Sequence, residues 1–378
     1  MRTVVVNARD SNAYAKGLAE AAGALRDGAL VVFPTETVYG VAANAADVSA
    51  VARLRAVKGR NDGRPFTVHL GQRAHARRYL SAPGPVVRRL IRRAWPGPLT
   101  LICEEGAPDK TEIAAACGAE PLREMYHDGS VGLRCPDHSA AARLLNAAGV
   151  PVVASSANRH GQPPPLDARD AMQDLDGVAA YVIDGGRTRY STASTIVAVR
   201  GARWSVVRAG ALDERTLERL AVSEILFVCT GNACRSPMAE HLFRHGLARR
   251  LGCAVEGLHD LGYHVTSAGT MVTQGAASVG AAGEMARRSI DLREHRAQPL
   301  TVELIQRAER IFVMSPEHRD AVLDLAPAAG GKVRLLDENG PVPDPFGGSP
   351  EDYRRCAEHI ERAVAVRLEE FLNEDRDW

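Results

Sequence analysis

The chain has 378 residues, more than one hydrophobic core usually serves, so two domains are expected. Its 47 basic and 46 acidic residues leave a formal charge of +1, which argues against a protein that coats nucleic acid through bulk charge. No apolar run is long enough to span a membrane, and Met1-Arg-Thr-Val-Val-Val-Asn7 lacks the apolar core of a signal peptide. Seven scattered cysteines without framework or zinc spacing read as reduced thiols of a cytoplasmic protein.

In chain order, Tyr14 to Asp27 is an Ala-rich helical pattern closed by Gly28, and Ala29 to Phe33 is a short buried strand. Val48 to Val57 reads as a second helix and Pro65 to Leu70 as a strand. Further strands are expected at Leu99–Cys103, Val131–Leu133, Val150–Ala154, Tyr181–Asp184 and Thr195–Val199, with residues 104–129 as a surface loop carrying a short helix. A boundary is expected near Arg208-Ala-Gly210, which gives a first domain at 1–212, a linker at 213–222 and a second domain at 223–378. Strand and helix signals alternate again from Ile225, with strands at Val265, Arg310–Met314 and Val333–Leu336. The fold class is α/β throughout, and the second half should be a parallel sheet wrapped by helices.

The first half has no Walker loop. Its polar residues gather at strand ends: Thr35 to Thr37, then Lys58, Arg60 and Arg64, then His69, Arg134, Ser155, Ser156, Asn158, Ser194 and Arg208. Three cations within seven residues could neutralise a triphosphate, although most such runs are solvated loops. The segments Phe33-Pro-Thr-Glu-Thr-Val-Tyr-Gly40, Lys58-Gly-Arg60, Phe66-Thr-Val-His69, Trp95-Pro-Gly-Pro-Leu-Thr100, Gly132-Leu-Arg134-Cys-Pro136, Ser155-Ser-Ala-Asn158, Ser194-Thr-Ile196 and Arg208-Ala-Gly210 follow in order. Together they resemble the motif series of YrdC-type threonylcarbamoyl-AMP synthases.

The resemblance implies a twisted α/β domain that joins L-threonine, bicarbonate and ATP into threonylcarbamoyl-adenylate and pyrophosphate. The product would pass to tRNA-modifying proteins that act on adenosine 37. It further implies double-stranded RNA binding and Mg2+ travelling with ATP. By the same carry-over, Thr37, His69, Arg134, Ser156 and Ser194 would hold threonine, and Lys58, Arg60, Arg64, Ser130, Asn158 and Arg208 would hold ATP. A module that binds RNA or nucleotide without catalysis is the competing reading. The chain departs from the family at Arg64-Pro65, where Lys-Pro is usual.

The second half opens with Ile225-Leu-Phe-Val-Cys229-Thr-Gly-Asn-Ala-Cys-Arg-Ser-Pro237. An apolar strand ends in a cysteine, a Gly-Asn turn follows, and Ser236-Pro237 reads as N-cap and first helical residue. The backbone N–H groups of Thr230, Gly231, Asn232, Ala233, Cys234 and Ser236 could then cradle an oxyanion. Arg235 can fork onto two of its oxygens. Cys229, at the positive end of the helix, would be the nucleophile. This loop resembles that of low-molecular-weight protein tyrosine phosphatases and the related arginine phosphatases. Their late Asp-Pro loop has its counterpart in Val342-Pro-Asp344-Pro-Phe-Gly-Gly348, which makes Asp344 the expected general acid.

The resemblance implies a phosphocysteine intermediate, a phosphoprotein substrate and no cofactor. Ser267-Ala-Gly-Thr270 and His295-Arg296-Ala are further family-like segments, read as structural. A thioredoxin-coupled arsenate reductase is disfavoured, because no cysteine lies between Cys253 and Cys356. Ala233 matches neither the phosphotyrosine nor the phosphoarginine branch, while Phe346 leans towards phosphoarginine. Cys234 either captures an oxidised Cys229 as a disulfide or merely packs beneath the loop.

Overall fold

In the computed structural model the short apolar runs of the first half pair into one mixed sheet. The structure describes residues 3–7, 11–60, 62–273, 275–376 and 378, so the first two residues of the opening stretch lie outside it. The sheet contains β1 (Val4–Asn7), β2 (Val31–Phe33), β3 (Gly40–Asn44), β4 (Thr67–His69), β5 (Leu99–Glu104), β6 (Tyr126–His127), β7 (Ser130–Arg134), β8 (Val152–Ser156), β9 (Tyr181–Asp184), β10 (Thr195–Arg200) and β11 (Arg203–Arg208). Their order is β1-β9-β2-β3-β8-β4-β7-β5-β10-β11, with β6 paired to β7.

Four of these strands carry weak sequence signals. β3 is fully buried but built from small residues, β11 is a largely exposed edge, and β1 and β6 are short. Helices Ser11–Arg26 and Ser139–Ala148 pack their alanines and leucines on one sheet face, around Val31, Phe33, Ala42 and Ala154. Asp47 caps helix Val48–Lys58 by accepting from the backbone N–H groups of Ser49 and Ala50.

Residues 104–129 are more ordered than the expected loop with one short helix. They form helices Glu112–Cys117 and Ala119–Leu122 and strand β6, because Ile113 and Met125 are fully buried and anchor the segment. Arg55–Glu124 and Arg78–Glu112 ion pairs tie it to the rest of the unit.

The described residues divide into 3–220 with Trp378, and 221–376. Helix Glu214–Ala221 spans this division. The second unit is a four-stranded sheet, wholly parallel, of β12 (Ser223–Cys229), β13 (Tyr263–Gly269), β14 (Arg310–Val313) and β15 (Val333–Leu335), in the order β13-β12-β14-β15.

Both sheet faces are covered, which explains the unbroken apolar run of β12. Ile225, Phe227 and Cys229 join the core with residues of helices Arg235–Leu251 and Pro350–Arg376, while Leu226 and Val228 meet Ile305 and Val322 on the other face. The chain leaves β12 for β13 on one side and later returns to β14 on the other. Cys229 therefore ends its strand at the topological switch point, where parallel α/β sheets open a crevice.

The helix after the cysteine loop starts earlier than the sequence suggests. It begins at Arg235 with Cys234 at the N-cap, not with Ser236 as cap and Pro237 first. The Ser236 hydroxyl is drawn to Cys229 Sγ (3.0 Å) instead of capping. Pro237 remains in the first turn, where an N–H would have no helical partner.

Candidate active sites

Strand register builds the first site. Arg208 is paired with Ile196, Ile196 with Thr100, Thr100 with Arg134 and Arg134 with His69, which makes one row across β11, β10, β5, β7 and β4. Side chains in one row point to the same sheet face. All five line a cavity of about 370 Å3, together with Thr35, Arg60, Ser156 and Ser194.

Arg134 is held from behind. Its Nη2 donates to Thr37 Oγ1 (2.5 Å), Glu36 Oε1 (3.0 Å) and Thr35 Oγ1 (3.4 Å), while its Nε is buried without a hydrogen-bond partner among the described residues. Glu36, only 2% exposed, also accepts from the Asp137 N–H. Arg208 donates to the carbonyl and hydroxyl of Ser194, whose Oγ lies 2.9 Å from Thr100 Oγ1. Burial and the neighbouring Arg134 push the Arg208 pKa down.

His69 Nδ1 lies 3.0 Å from the Thr67 carbonyl, which can only accept, so Nδ1 carries the proton and Nε2 keeps its lone pair. Burial and Arg134 push its pKa down to about 3, so the ring is neutral. Three guanidiniums, those of Arg60, Arg134 and Arg208, thus converge on a wall of hydroxyls. Such a cavity suits an anion.

The other expected nucleotide residues take different positions. Lys58 lies one layer behind, donating to the carbonyls of Ser156 (2.9 Å) and Asn158 (2.5 Å) and to Asn158 Oδ1. Burial pushes its pKa down to about 8. Asn158 spends its amide on the carbonyls of Arg159 and Gln162. Arg60 stacks over Phe66 and pairs with Asp62.

Arg64 and Ser130 stand outside the cavity lining. Ser130 begins the strand that Arg134 ends, about 13 Å away at normal strand rise. Thr100, which the sequence placed inside a strand, joins the site only through register.

The second site sits at the carboxyl end of β12. Cys229, Thr230, Gly231, Ala233, Cys234, Arg235 and Asp344 line a pocket of about 190 Å3, rimmed by Met271, Thr273 and Phe346. Arg235 Nη2 donates to Asp344 Oδ2 at 2.5 Å and Nη1 to the Val342 carbonyl, which brings the expected arginine and acid together. Asp344 is 46% exposed on the solvent side.

Asn232 holds the loop in shape. It takes the left-handed conformation (φ 51°) that asparagine tolerates better than most residues. Its side-chain amide donates to Ser236 and Ser267, and its Oδ1 accepts from the Gln298 N–H. Gly269 passes so close that a Cβ there would meet the Thr230 carbonyl at 2.6 Å.

His295 Nε2 donates to the Asn232 carbonyl (2.8 Å), and Ser267 donates to the buried Glu240 (2.7 Å). The Ser267 and His295 segments therefore brace the loop. Sequence reasoning missed Glu240 and His318. His318 bridges Thr230 Oγ1 and Ser315 Oγ, both at 2.9 Å, and burial with Arg235 pushes it down to about 4. Each reads in sequence as an ordinary polar position on a helix. Cys234 donates to Ser278 Oγ (3.1 Å) and lies 3.5 Å from Tyr353 Oη while also lining the pocket.

Among the described residues no helix is long and apolar enough to cross a membrane.

The chain thus carries a cysteine–arginine loop at the end of a parallel sheet and a row of polar and cationic side chains on a mixed sheet. Residues 23–210 match the Sua5/YciO/YrdC family model, described as Telomere recombination, and residues 224–377 match the model for Low molecular weight phosphotyrosine protein phosphatase. The chain belongs to the threonylcarbamoyl-AMP synthase family through its first unit, and its second unit resembles the low-molecular-weight phosphatases.

The threonylcarbamoyl-AMP synthase of Bacillus subtilis is 36% identical over 53% of this chain, which spans 55% of that protein. A putative threonylcarbamoyl-AMP synthase of Mycobacterium tuberculosis is also 36% identical, over 58% of this chain and 96% of its own length. The solved YwlE arginine phosphatase of Geobacillus stearothermophilus is 32% identical, covering 41% of this chain and 96% of its own, with a TM-score of 0.36.

Proposed function

We propose that the first unit makes threonylcarbamoyl-adenylate and pyrophosphate from L-threonine, bicarbonate and ATP, in the cytoplasm and for proteins that modify tRNA. The observation that carries this reading is the row Arg208, Thr100, Arg134 and His69 on one cavity wall. In this reading the free edge of Arg134 takes the threonine carboxylate. The neutral His69 Nε2 and the hydroxyls of Ser156 and Ser194 orient the amino acid, while Thr37, fully buried and outside the cavity lining, acts through Arg134. Arg60 and Arg208 meet the nucleotide, and Lys58 and Asn158 shape the wall behind it. The reaction joins an anion to a polyanion, so neutralising and aligning the two supplies most of the rate.

No carboxylate lines the cavity among the described residues, which does not suit a resident Mg2+. Any such ion would be carried by the nucleotide's phosphates. Arg60→Ala should abolish pyrophosphate release that depends on both threonine and bicarbonate. ATP turnover indifferent to threonine would instead favour a nucleotide- or RNA-binding module.

For the second unit we infer hydrolysis of a phosphoprotein through phosphocysteine. Cys229 sulfur attacks phosphorus, Arg235 and the loop N–H groups hold the equatorial oxygens, and Asp344 protonates the leaving group. Asp344 then takes a proton from the water that releases phosphate. Phosphoarginine is the preferred substrate in this reading. Phe346 on the pocket rim is what supports this preference, since Asp344, the one carboxylate lining the pocket among the described residues, would protonate either a guanidine or a phenol leaving group. Matched phosphoarginine and phosphotyrosine peptides given to the full chain test this. Faster turnover of phosphotyrosine would reverse the assignment.

A further inference from the structure

Behind the phosphate loop, on the side away from the nucleophile's pocket, Glu240, His241 and His295 each place one ligand atom within 4.8 Å of the others. Glu240 and His295 are buried and His241 is half-buried. Two imidazoles and a carboxylate form a donor set for a borderline divalent transition metal, of which Zn2+ is the commonest. We propose that these three residues form a Zn2+-type site that braces the phosphate loop from behind.

The outer hydrogen bonds support this. A histidine that binds metal through one ring nitrogen usually donates its other N–H to a carbonyl or carboxylate. His295 Nε2 already donates to the Asn232 carbonyl, which leaves Nδ1 as its coordinating nitrogen. A ligating carboxylate is likewise usually hydrogen-bonded through its second oxygen. Glu240 Oε2 accepts from Ser267, while Oε1 lies 3.9 Å from His241 Nε2.

Ligands about 2.0–2.1 Å from a tetrahedral ion lie about 3.4 Å apart. The trio must therefore close by about 1.4 Å at most, which rotation of half-buried His241 can supply. The fourth position would be filled by water. Arg244, whose Nη1 stands 3.6 Å from Glu240 Oε1 and is partly exposed, opposes a cation and must swing outward. Asn232 and Ser267, which carry the outer hydrogen bonds, also shape the loop, so an ion here would stiffen residues 230–236.

The test uses Co2+ as probe on the chelator-treated full chain carrying Cys229→Ser, which removes the pocket thiol as a competing ligand. The expected result is one ion per chain, with visible ligand-field bands, no thiolate charge-transfer band, and displacement by Zn2+. His241→Ala should weaken binding at least about 10–100-fold, the loss known for outer partners alone. His241→Cys should recover binding and add a thiolate band. Because His241 is half-buried, both variants should keep their far-ultraviolet circular dichroism. Amide exchange in 230–236 should slow on loading. Equal binding by His241→Ala, a thiolate band in the parent chain, or no binding at all would overturn the site. Unchanged loop exchange would overturn the bracing.

Discussion

Glu36 offers the sharpest test of the first site. It sits 2% exposed beside Arg134, itself 5% exposed, with carboxylate bonds to the guanidinium (3.0 Å) and to the Asp137 N–H (3.0 Å). Glu36→Ala strips the only carboxylate within ion-pair distance of Arg134 among the described residues and leaves the Asp137 N–H without this acceptor. Removing one partner of a buried ion pair costs about 3–5 kcal/mol, because the remaining charge stays desolvated.

For a urea slope of about 2–3 kcal/mol/M, the unfolding midpoint of the first unit should fall by about 1–2.5 M. Tryptophan fluorescence of a Trp378→Phe chain, reporting on Trp95 and Trp204, reads this transition. Glu36→Gln keeps an acceptor for Asp137 and should lose roughly half as much. The KM for threonine should rise at least about tenfold in either variant, since Arg134 loses the group that aims it. An unchanged midpoint together with an unchanged KM would refute the idea that Glu36 holds Arg134.

Cys229→Ser should abolish hydrolysis of a small aryl phosphate, and residual turnover above about 1% would rule out the cysteine mechanism. Gly269→Ala must displace the Thr230 carbonyl from its 2.6 Å approach, so phosphatase kcat should drop about tenfold or more while circular dichroism stays native. His69, held at about 3 when folded against about 6.5 unfolded, takes up its proton first in the unfolded chain. Its contribution is therefore complete above about pH 6.5 and lost towards pH 3 by up to about 1.4 kcal/mol per unit. His69→Gln should flatten the urea midpoint measured across that window.

The cysteine loop was legible because its chemistry is local. Cys229, the turn and Arg235 lie within seven residues, so strand, loop and helix start follow from adjacent side chains. The helix start was misplaced by its cap because Ser236 bonds to a sulfur rather than to the next backbone turn, which no local rule reveals. Glu240 and His295 were harder still. They lie 55 residues apart, and their part in bracing the loop rests on partners brought together only by packing.

By itself the sequence determined that there are two α/β halves, that the second carries a cysteine–arginine loop between strand and helix, and which polar residues the first gathers at its strand ends. Which of those residues share a wall was decided by pairing. A residue at either end of a strand looks equally eligible in sequence, yet Arg134 enters the cavity and Ser130 does not. Thr100 enters because β5 aligns it with Arg134. The physical reason is register. Side chains alternate between faces with a period of two, so a slip of one residue would turn the whole row away from the cavity.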